Sequence, residues 1–436
     1  MKKRYQKFLS LLTVFCCVCL TGCGTKQTSV SPESEPAATE TPPSASVLDH
    51  TQSLSPDGKD PTECAYGITI TEETQSPSYT AEKDASVTVL EADSSYPVFG
   101  IEGNAEAAAK INEAIRAELD TFLNFEKENA ANAEEAYLAS LDSSDSAFQT
   151  YTADFSYQLK RCDDRIISVV FCQSDFSGGA HSNTWSYGVT FHTKTGERLY
   201  LESLCSDYAP FHELLINNLN TQAASPAYHD YISAELNSDL DNALLNDSTC
   251  WYFDRSGLTF ISNPYVLGSY AAGTFEFNIP YAELDGLKSE YAYQGPYIRK
   301  LFPGSIVRHD LNGDGSAEDL CYSIQTDADF SDPKPALTIN GRDFSEELEQ
   351  LHLSYLWTGA YYLMDIDSED PYTEIAISNE NTERPKETCT HFFRYHTDGK
   401  LVYLGNTAGV FNEDMQVRYN SNGNLILCDR NGNPVG

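Results

Sequence analysis

Between about residue 63 and residue 292 the spacing of apolar positions switches from a period of two to a period near four and back again. Residues 65–71 and 85–90 alternate as strands do, and Ser95-Tyr96-Pro97-Val98 leads into a helix that begins near Asn104. In that helix Ile111, Ile115, Leu119, Phe122 and Leu123 share one face, so the stripe lies on a sheet, with Asn104 as the N-cap. Residues 155–162, a turn at Asp163-Asp164 and residues 166–174 read as a hairpin. After a glycine pair, Trp185, Tyr187, Val189 and Phe191 alternate with Ser186, Gly188 and Thr190, giving a half-buried strand. Lys194-Thr195-Gly196 then turns the chain into a further strand at Arg198-Leu199-Tyr200-Leu201. A second amphipathic helix has Pro210 near its start and Phe211, Leu214, Leu215 and Leu219 on its core face. Residues 258–261 and 274–281 close the unit as strands. Strands and helices are segregated rather than alternating, so the fold class is α+β.

Residues 298–436 are β-rich and hold the best chemical motif of the chain, Asp310-Leu311-Asn312-Gly313-Asp314-Gly315-Ser316-Ala317-Glu318-Asp319. Oxygen side chains at positions one, three and five, a glycine at six and acids at nine and ten suit a hard cation with six to eight oxygen ligands. The expected metal is calcium, structural in role, held by Asp310, Asn312, Asp314, Ser316, Glu318 and Asp319. An EF-hand needs flanking helices and a glutamate at position twelve, but that place is Cys321 and both flanks alternate like strands. The loop instead resembles the calcium turns of integrin-type propeller repeats. A second, degenerate copy without the central glycine occupies residues 365–374, about 55 residues on. The other reading of both is a pair of Asx-rich β-turns in which Asp and Asn cap their own backbone. Tyr395-His396-Thr397-Asp398-Gly399-Lys400-Leu401 and Tyr419-Asn420-Ser421-Asn422-Gly423-Asn424-Leu425 add two turn-bearing hairpins.

The first 62 residues have a different character. Lys2, Lys3, Arg4 and Lys7 precede a short apolar run that ends on Leu20-Thr21-Gly22-Cys23. This reads as a lipoprotein signal over residues 1–22, with lipidation at Cys23 and anchoring at the extracytoplasmic face of a cell membrane. Residues 23–62, rich in Ser, Thr, Pro, Glu and Ala, cannot bury enough surface to fold and read as a tether. Charge sharpens the picture. Against 28 Lys+Arg stand 65 Asp+Glu, a formal net charge of −37, and the leader removes bases but no acid. Nucleic acid and anionic headgroups are not expected partners, while cationic proteins or metal ions are, unless the acidity only keeps an exported protein soluble. The cysteines beyond Cys23 are scattered, with no CxxC pair and so no zinc or redox motif.

Ser177-Gly178-Gly179-Ala180-His181-Ser182-Asn183, the aromatic strand, the Lys194-Thr195-Gly196 turn and Tyr200-Leu201-Glu202-Ser203-Leu204 together resemble the extracytoplasmic domain of the RsiV family, also found beside the deacetylase of PdaC-type enzymes. Asn263-Pro264-Tyr265, Tyr270-Ala271-Ala272-Gly273 and Ile279-Pro280-Tyr281 fit the closing pattern of that domain of unknown function, DUF3298. Tyr96-Pro97 with the Asn104 helix resembles its upstream DUF4163 companion. The resemblance divides the folded chain into a DUF4163-like part at 63–150, an RsiV-like domain at 151–292 and the β-rich unit at 298–436. It implies a binding module for a cationic protein such as lysozyme, or for cell-wall glycan. The sequence shows no polysaccharide-deacetylase Asp/His metal motif, and the expectation is a protein that is not an enzyme, the alternatives being a cell-wall glycan-modifying enzyme or a structural envelope lipoprotein that assists a partner.

Candidate ligand-binding residues are Gly178, Gly179, His181, Tyr265, Tyr270 and Tyr281. A glycine pair lets backbone approach a ligand and histidine titrates near neutrality. Alternatively the pair shapes a tight bend and His181 makes a structural hydrogen bond. The stripe Trp185, Tyr187 and Phe191 reads as core rather than as a sugar platform, because one strand face must be buried.

Overall fold

The computed structural model describes residues 62–64, 67–142, 147–225, 228, 231–232, 240–245, 250–295, 297–301, 304, 306–325, 334–349, 351, 361–367, 370–379, 388–412, 415–429 and 434. The expected leader, Cys23 and the expected tether lie outside them, except for Thr62, which opens the first strand. Among the described residues no helix is long and apolar enough to cross a membrane.

The first sheet is built from β1 (Thr62–Cys64), β2 (Ile68–Gln75), β3 (Ser78–Thr80), β4 (Thr88–Ile101), β5 (Tyr151–Cys162), β6 (Ile166–Phe176) and β7 (Asn183–His192). Its order is β1-β2-β4-β5-β6-β7, with β3 also on β4, and β4 and β5 run parallel. Helix α1 (Ala105–Leu141) makes the crossover between them. Asn104 caps it through a bond accepted from the Ala107 N–H at 3.3 Å. Ile111, Ile115, Leu119 and Phe122 are buried against the sheet, each worth about 1.5–3 kcal/mol of removed apolar surface. The packing is aromatic at its centre, where Phe122, Phe155, Phe171 and Tyr187 stack in sequence at ring separations of 5.1, 5.1 and 5.8 Å. Tyr187 and Phe191 belong to this core, with Trp185 partly buried beside it.

Residues 95–98 do not lead into the helix as a connector. They continue β4, where Tyr96 and Val98 pair with Glu73 and Thr71 of β2. The expected strand at 198–201 is likewise reduced to one bridge between Phe191 and Arg198. The Arg198 guanidinium is drawn to Glu118 of α1 at 2.9 Å, and Leu199 and Leu201 turn into a second core.

That second core forms between α2 (Tyr208–Ala223), capped by Asp207, and the sheet β10-β9-β8. The strands are β8 (Trp251–Phe253), β9 (Gly257–Ser262) and β10 (Phe275–Pro280). Gly188 lets β8 cross β7 closely, since a Cβ there would sit 1.9 Å from the Trp251 carbonyl oxygen.

Among the described residues the β-rich unit has three open sheets. One runs β11-β16-β17-β18-β19, made of β11 (Ile298–Leu301), β16 (Tyr361–Met364), β17 (Glu374–Asn379), β18 (Cys389–Tyr395) and β19 (Leu401–Ala408). The next runs β12-β13-β14-β15, made of β12 (Ile306–His309), β13 (Glu318–Gln325), β14 (Lys334–Ile339) and β15 (Arg342–Asp343), followed by the short α3 (Ser345–Glu349). The third is the hairpin of β20 (Gln416–Tyr419) and β21 (Leu425–Cys428). Among the described residues no barrel or propeller closes, and the unit is a set of antiparallel sheets within an α+β chain.

Candidate functional site

The tip of the β6–β7 hairpin meets the loop after β9 in an exposed aromatic corner. Gly178 and Gly179 take φ values of 82° and 120°, a path that L side chains rarely follow, and this bends the tip so that His181 faces the loop. The His181 ring lies 3.7 Å from the Tyr270 ring with 14° between planes. Tyr265 closes the group, with its ring 5.7 Å from Tyr270 and its hydroxyl 3.4 Å from His181 Nε2. The Tyr270 hydroxyl donates to the Ser182 carbonyl at 2.8 Å. Five of the six residues singled out by sequence are therefore assembled in one place.

Two features mark this corner as more than packing. Tyr265 is 62 % exposed and holds φ at 68°, a left-handed conformation that costs a bulky residue about 1–3 kcal/mol. Its strain is enforced by Asn263, which is buried and clasps the Ser186 peptide of β7. Its Oδ1 accepts from the Ser186 N–H at 2.7 Å and its Nδ2 donates to the Ser186 carbonyl at 2.8 Å. Asn263 was not among the sequence candidates, although an Asn-Pro pair after a strand is a turn signal that points to it. The polar partners of His181 are the Ser182 carbonyl and the Tyr265 hydroxyl, which orient an aromatic surface rather than a nucleophile.

Tyr281 stands apart. It is partly buried, donates to the Asp254 carbonyl at 2.7 Å and accepts from Arg161 Nη1 at 2.7 Å. Burial and the neighbouring Asp254 hold its phenol protonated. Arg161, buried, also pairs with Asp163 at 2.6 Å and donates to the Tyr291 carbonyl at 2.6 Å. Tyr281 thus completes a structural centre and does not join the aromatic corner.

The acidic turns lie side by side. The Thr373 N–H donates to the Leu311 carbonyl at 3.0 Å, and His309 Nε2 meets the Thr373 hydroxyl at 3.0 Å. Gly313, at φ 71°, lies against Pro371, and a Cβ there would come within 2.3 Å of the proline Cβ. In the first turn Asp310 accepts from the Gly313 and Gly315 N–H groups, Asn312 from Asp314 and Asp314 from Ser316. Glu318, 4 % exposed, accepts from the Leu311 N–H and from Asn312 Nδ2, while the Asp319 N–H donates to Asn340. Burial raises the Glu318 pKa. These are Asx-turn bonds, and among the described residues no three His, Cys, Asp or Glu converge as metal ligands. The donor set itself, all oxygen, has the chemistry calcium takes.

Comparison with known proteins locates the first half of the folded chain. A family model described as Deacetylase PdaC matches residues 83–184, and one described as a protein of unknown function (DUF3298) matches residues 209–282. No curated protein matches the chain. Among solved structures, a DUF3298 family member from Bacteroides fragilis is 16% identical at a TM-score of 0.40, covering 52% of this chain and 96% of its own. A DUF3298 family protein from Pseudomonas aeruginosa is 14% identical at a TM-score of 0.35, covering 52% of this chain and 98% of its own.

Proposed function

We propose that this chain, which carries a PdaC/DUF3298-like domain, is a non-enzymatic, lipid-anchored binding protein of the cell surface. Its ligand is a cationic protein such as lysozyme, or cell-wall glycan. The observation that carries the reading is the aromatic corner, in which a strained and exposed Tyr265 is held beside the stacked His181 and Tyr270. Exposed tyrosines with fixed rings give contact area at low entropic cost, and sugars and basic side chains both bind aromatic faces. The net charge of −37 adds long-range attraction for a basic partner. Cys23 supplies the anchor and the first acidic turn takes calcium as a structural ion.

Titration calorimetry of the soluble chain from Gly24 onward, against lysozyme and then against peptidoglycan fragments at physiological salt, tests the reading. Saturable binding that weakens about tenfold in Tyr265→Ala is expected. Heat that disappears with salt, or binding indifferent to Tyr265→Ala, overturns it. The match to a model described as a deacetylase favours one second reading, an enzyme of wall polymer, for which acetate released from peptidoglycan and lost in His181→Ala is the readout.

A further inference from the structure

Over the whole chain acids outnumber bases by 65 to 28, yet one cleft reverses the balance. It opens where the end of β5, the β8–β9 turn, β10 and β11 meet. Its walls carry Lys160, Arg161, Arg255, Arg299 and Lys300 against only two acids, Asp254 and Glu276.

The acids are already engaged. Asp254 Oδ1 accepts from the Ser256 and Gly257 N–H groups and from the Ser256 hydroxyl, at 2.7, 2.9 and 2.5 Å, and Oδ2 accepts from Thr259 at 3.3 Å. Glu276 Oε1 accepts from the Tyr252 hydroxyl at 3.1 Å. Burial opposes the charge of Arg299, which is 9% exposed, but its neighbours Tyr297 and Tyr228 and the charges of Asp254 and Glu276 outweigh it and favour the cation. Arg161 has Asp163. Lys160 and Arg255 are placed differently. The Lys160 ammonium lies 5.0 Å over the Tyr252 ring and the Arg255 guanidinium 5.9 Å over the Tyr293 ring. Among the described residues neither makes an ion pair with an acid. A ring face holds a cation more weakly than an oxyanion does, so both side chains keep their strongest interaction in reserve.

We propose that this cleft binds a small oxyanion of the phosphate class, with Lys160 and Arg255 as its ligands and Arg161 and Arg299 providing the positive field behind them. A guanidinium fork and a point-charge ammonium are the usual pair for a tetrahedral anion. Buried cations are screened less by salt than surface ones, so the field persists at physiological ionic strength. Lys160 and Arg255 come from the domain that the family models match, Arg299 and Lys300 from the first strand of the β-rich unit, so a bound anion draws on both.

The site stands independently of the aromatic corner. Calorimetric titration of the full chain with inorganic phosphate at low chloride is expected to show saturable binding at one site. It weakens about tenfold in Arg255→Ala and in Lys160→Gln, and is unchanged in Tyr265→Ala and in the distant Lys334→Ala. Lys160→Gln keeps a long side chain over Tyr252 and is the variant to read if Arg255→Ala does not fold. Glycerol 3-phosphate distinguishes the sources, since tighter binding than phosphate marks an esterified ligand and equal binding a free anion. Absence of saturable heat with both probes, or equal affinity in wild type and in both cleft variants, overturns the proposal.

Discussion

In the first acidic turn Glu318 stands at the head of β13 and accepts the Leu311 N–H through Oε2 and the Asn312 amide through Oε1. In the second, Glu374 stands at the head of β17 and accepts the Ile366 N–H through Oε2, but its Oε1 receives the Arg394 guanidinium of β18 at 2.7 Å. Arg394 also reaches Asp370 at 2.8 Å and lies over the Tyr372 ring at 4.6 Å. The place of Asn312 in the first turn is Asp367 in the second, and a carboxylate has no N–H to offer a neighbouring glutamate. One scaffold thus solves the same problem twice, with a neutral amide in one turn and a full cation in the other. The second turn carries its positive charge within the chain, and among the described residues no ion pair does the same for the first.

Removing the internal cation breaks this contrast most severely. Arg394→Ala leaves Glu374, which is fully buried, and Asp370 without their counter-charge, and a loss of about 3–5 kcal/mol is expected in urea denaturation. Asn312→Ala removes a neutral donor to Glu318 and the acceptor of the Asp314 N–H, but no charge, and is expected to cost about 1–3 kcal/mol. Equal losses would mean that the two glutamates are not neutralised differently.

The glycines give the next effect. Gly313→Ala must place a Cβ at φ 71° against Pro371, where the two turns touch, and about 2–4 kcal/mol is expected. Gly315→Ala, at φ 85° with nothing within 4 Å, carries only the conformational part, about 1–2 kcal/mol. Thermal melts of the two variants compare packing with conformation in one turn.

A smaller effect comes from pH. Burial pushes the Glu374 carboxyl up to about 6, outweighing the pull of Arg394. Between its ordinary value of 4.5 and about 6 the folded chain keeps a proton that the unfolded chain has lost. The group therefore favours folding at low pH, and that stability is lost as pH rises through the window. Glu374→Gln does not titrate, so its stability relative to wild type should climb as pH rises, by roughly 2 kcal/mol in all from well below pH 4.5 to well above pH 6 and most steeply between the two. A relative stability that falls over the same window would show that the ion pair, not burial, dominates.

How much of this was legible in the sequence depended on the range of the interaction. The amphipathic stripe from Ile111 to Phe122, its Asn104 cap and the hairpins around 163 and 396–400 rest on neighbours a few residues apart, and they are found where the spacing put them. Residues 198–201 read as strand in the sequence, but only Arg198 bridges β7, and its guanidinium is held by Glu118, 80 residues earlier. Tyr281 looked like its neighbours in the closing pattern, yet Arg161, 120 residues away, makes it structural. His181, Tyr265 and Tyr270 were each visible, but their stacking depends on the Asn263 clasp across 77 residues. The basic cleft was hidden altogether, because a net charge of −37 describes the chain and not its local surface.

The contrast between the turns is sharpened last by calcium. If the first turn takes the ion, the free-energy gain at ten times the dissociation constant is about 1.4 kcal/mol, read as a concentration-dependent rise in Tm over a chelator control. Asp310 accepts two backbone N–H groups at 2.8 and 2.9 Å and so organises the loop, and Asp310→Ala is expected to abolish the rise. Asp365→Ala should leave it intact, because in the second turn Arg394 already balances Asp370 and Glu374. A rise that survives Asp310→Ala but not Asp365→Ala would reverse the assignment. No rise at millimolar calcium would make the first turn what its hydrogen bonds describe on their own, a run of Asx turns closed by a buried glutamate.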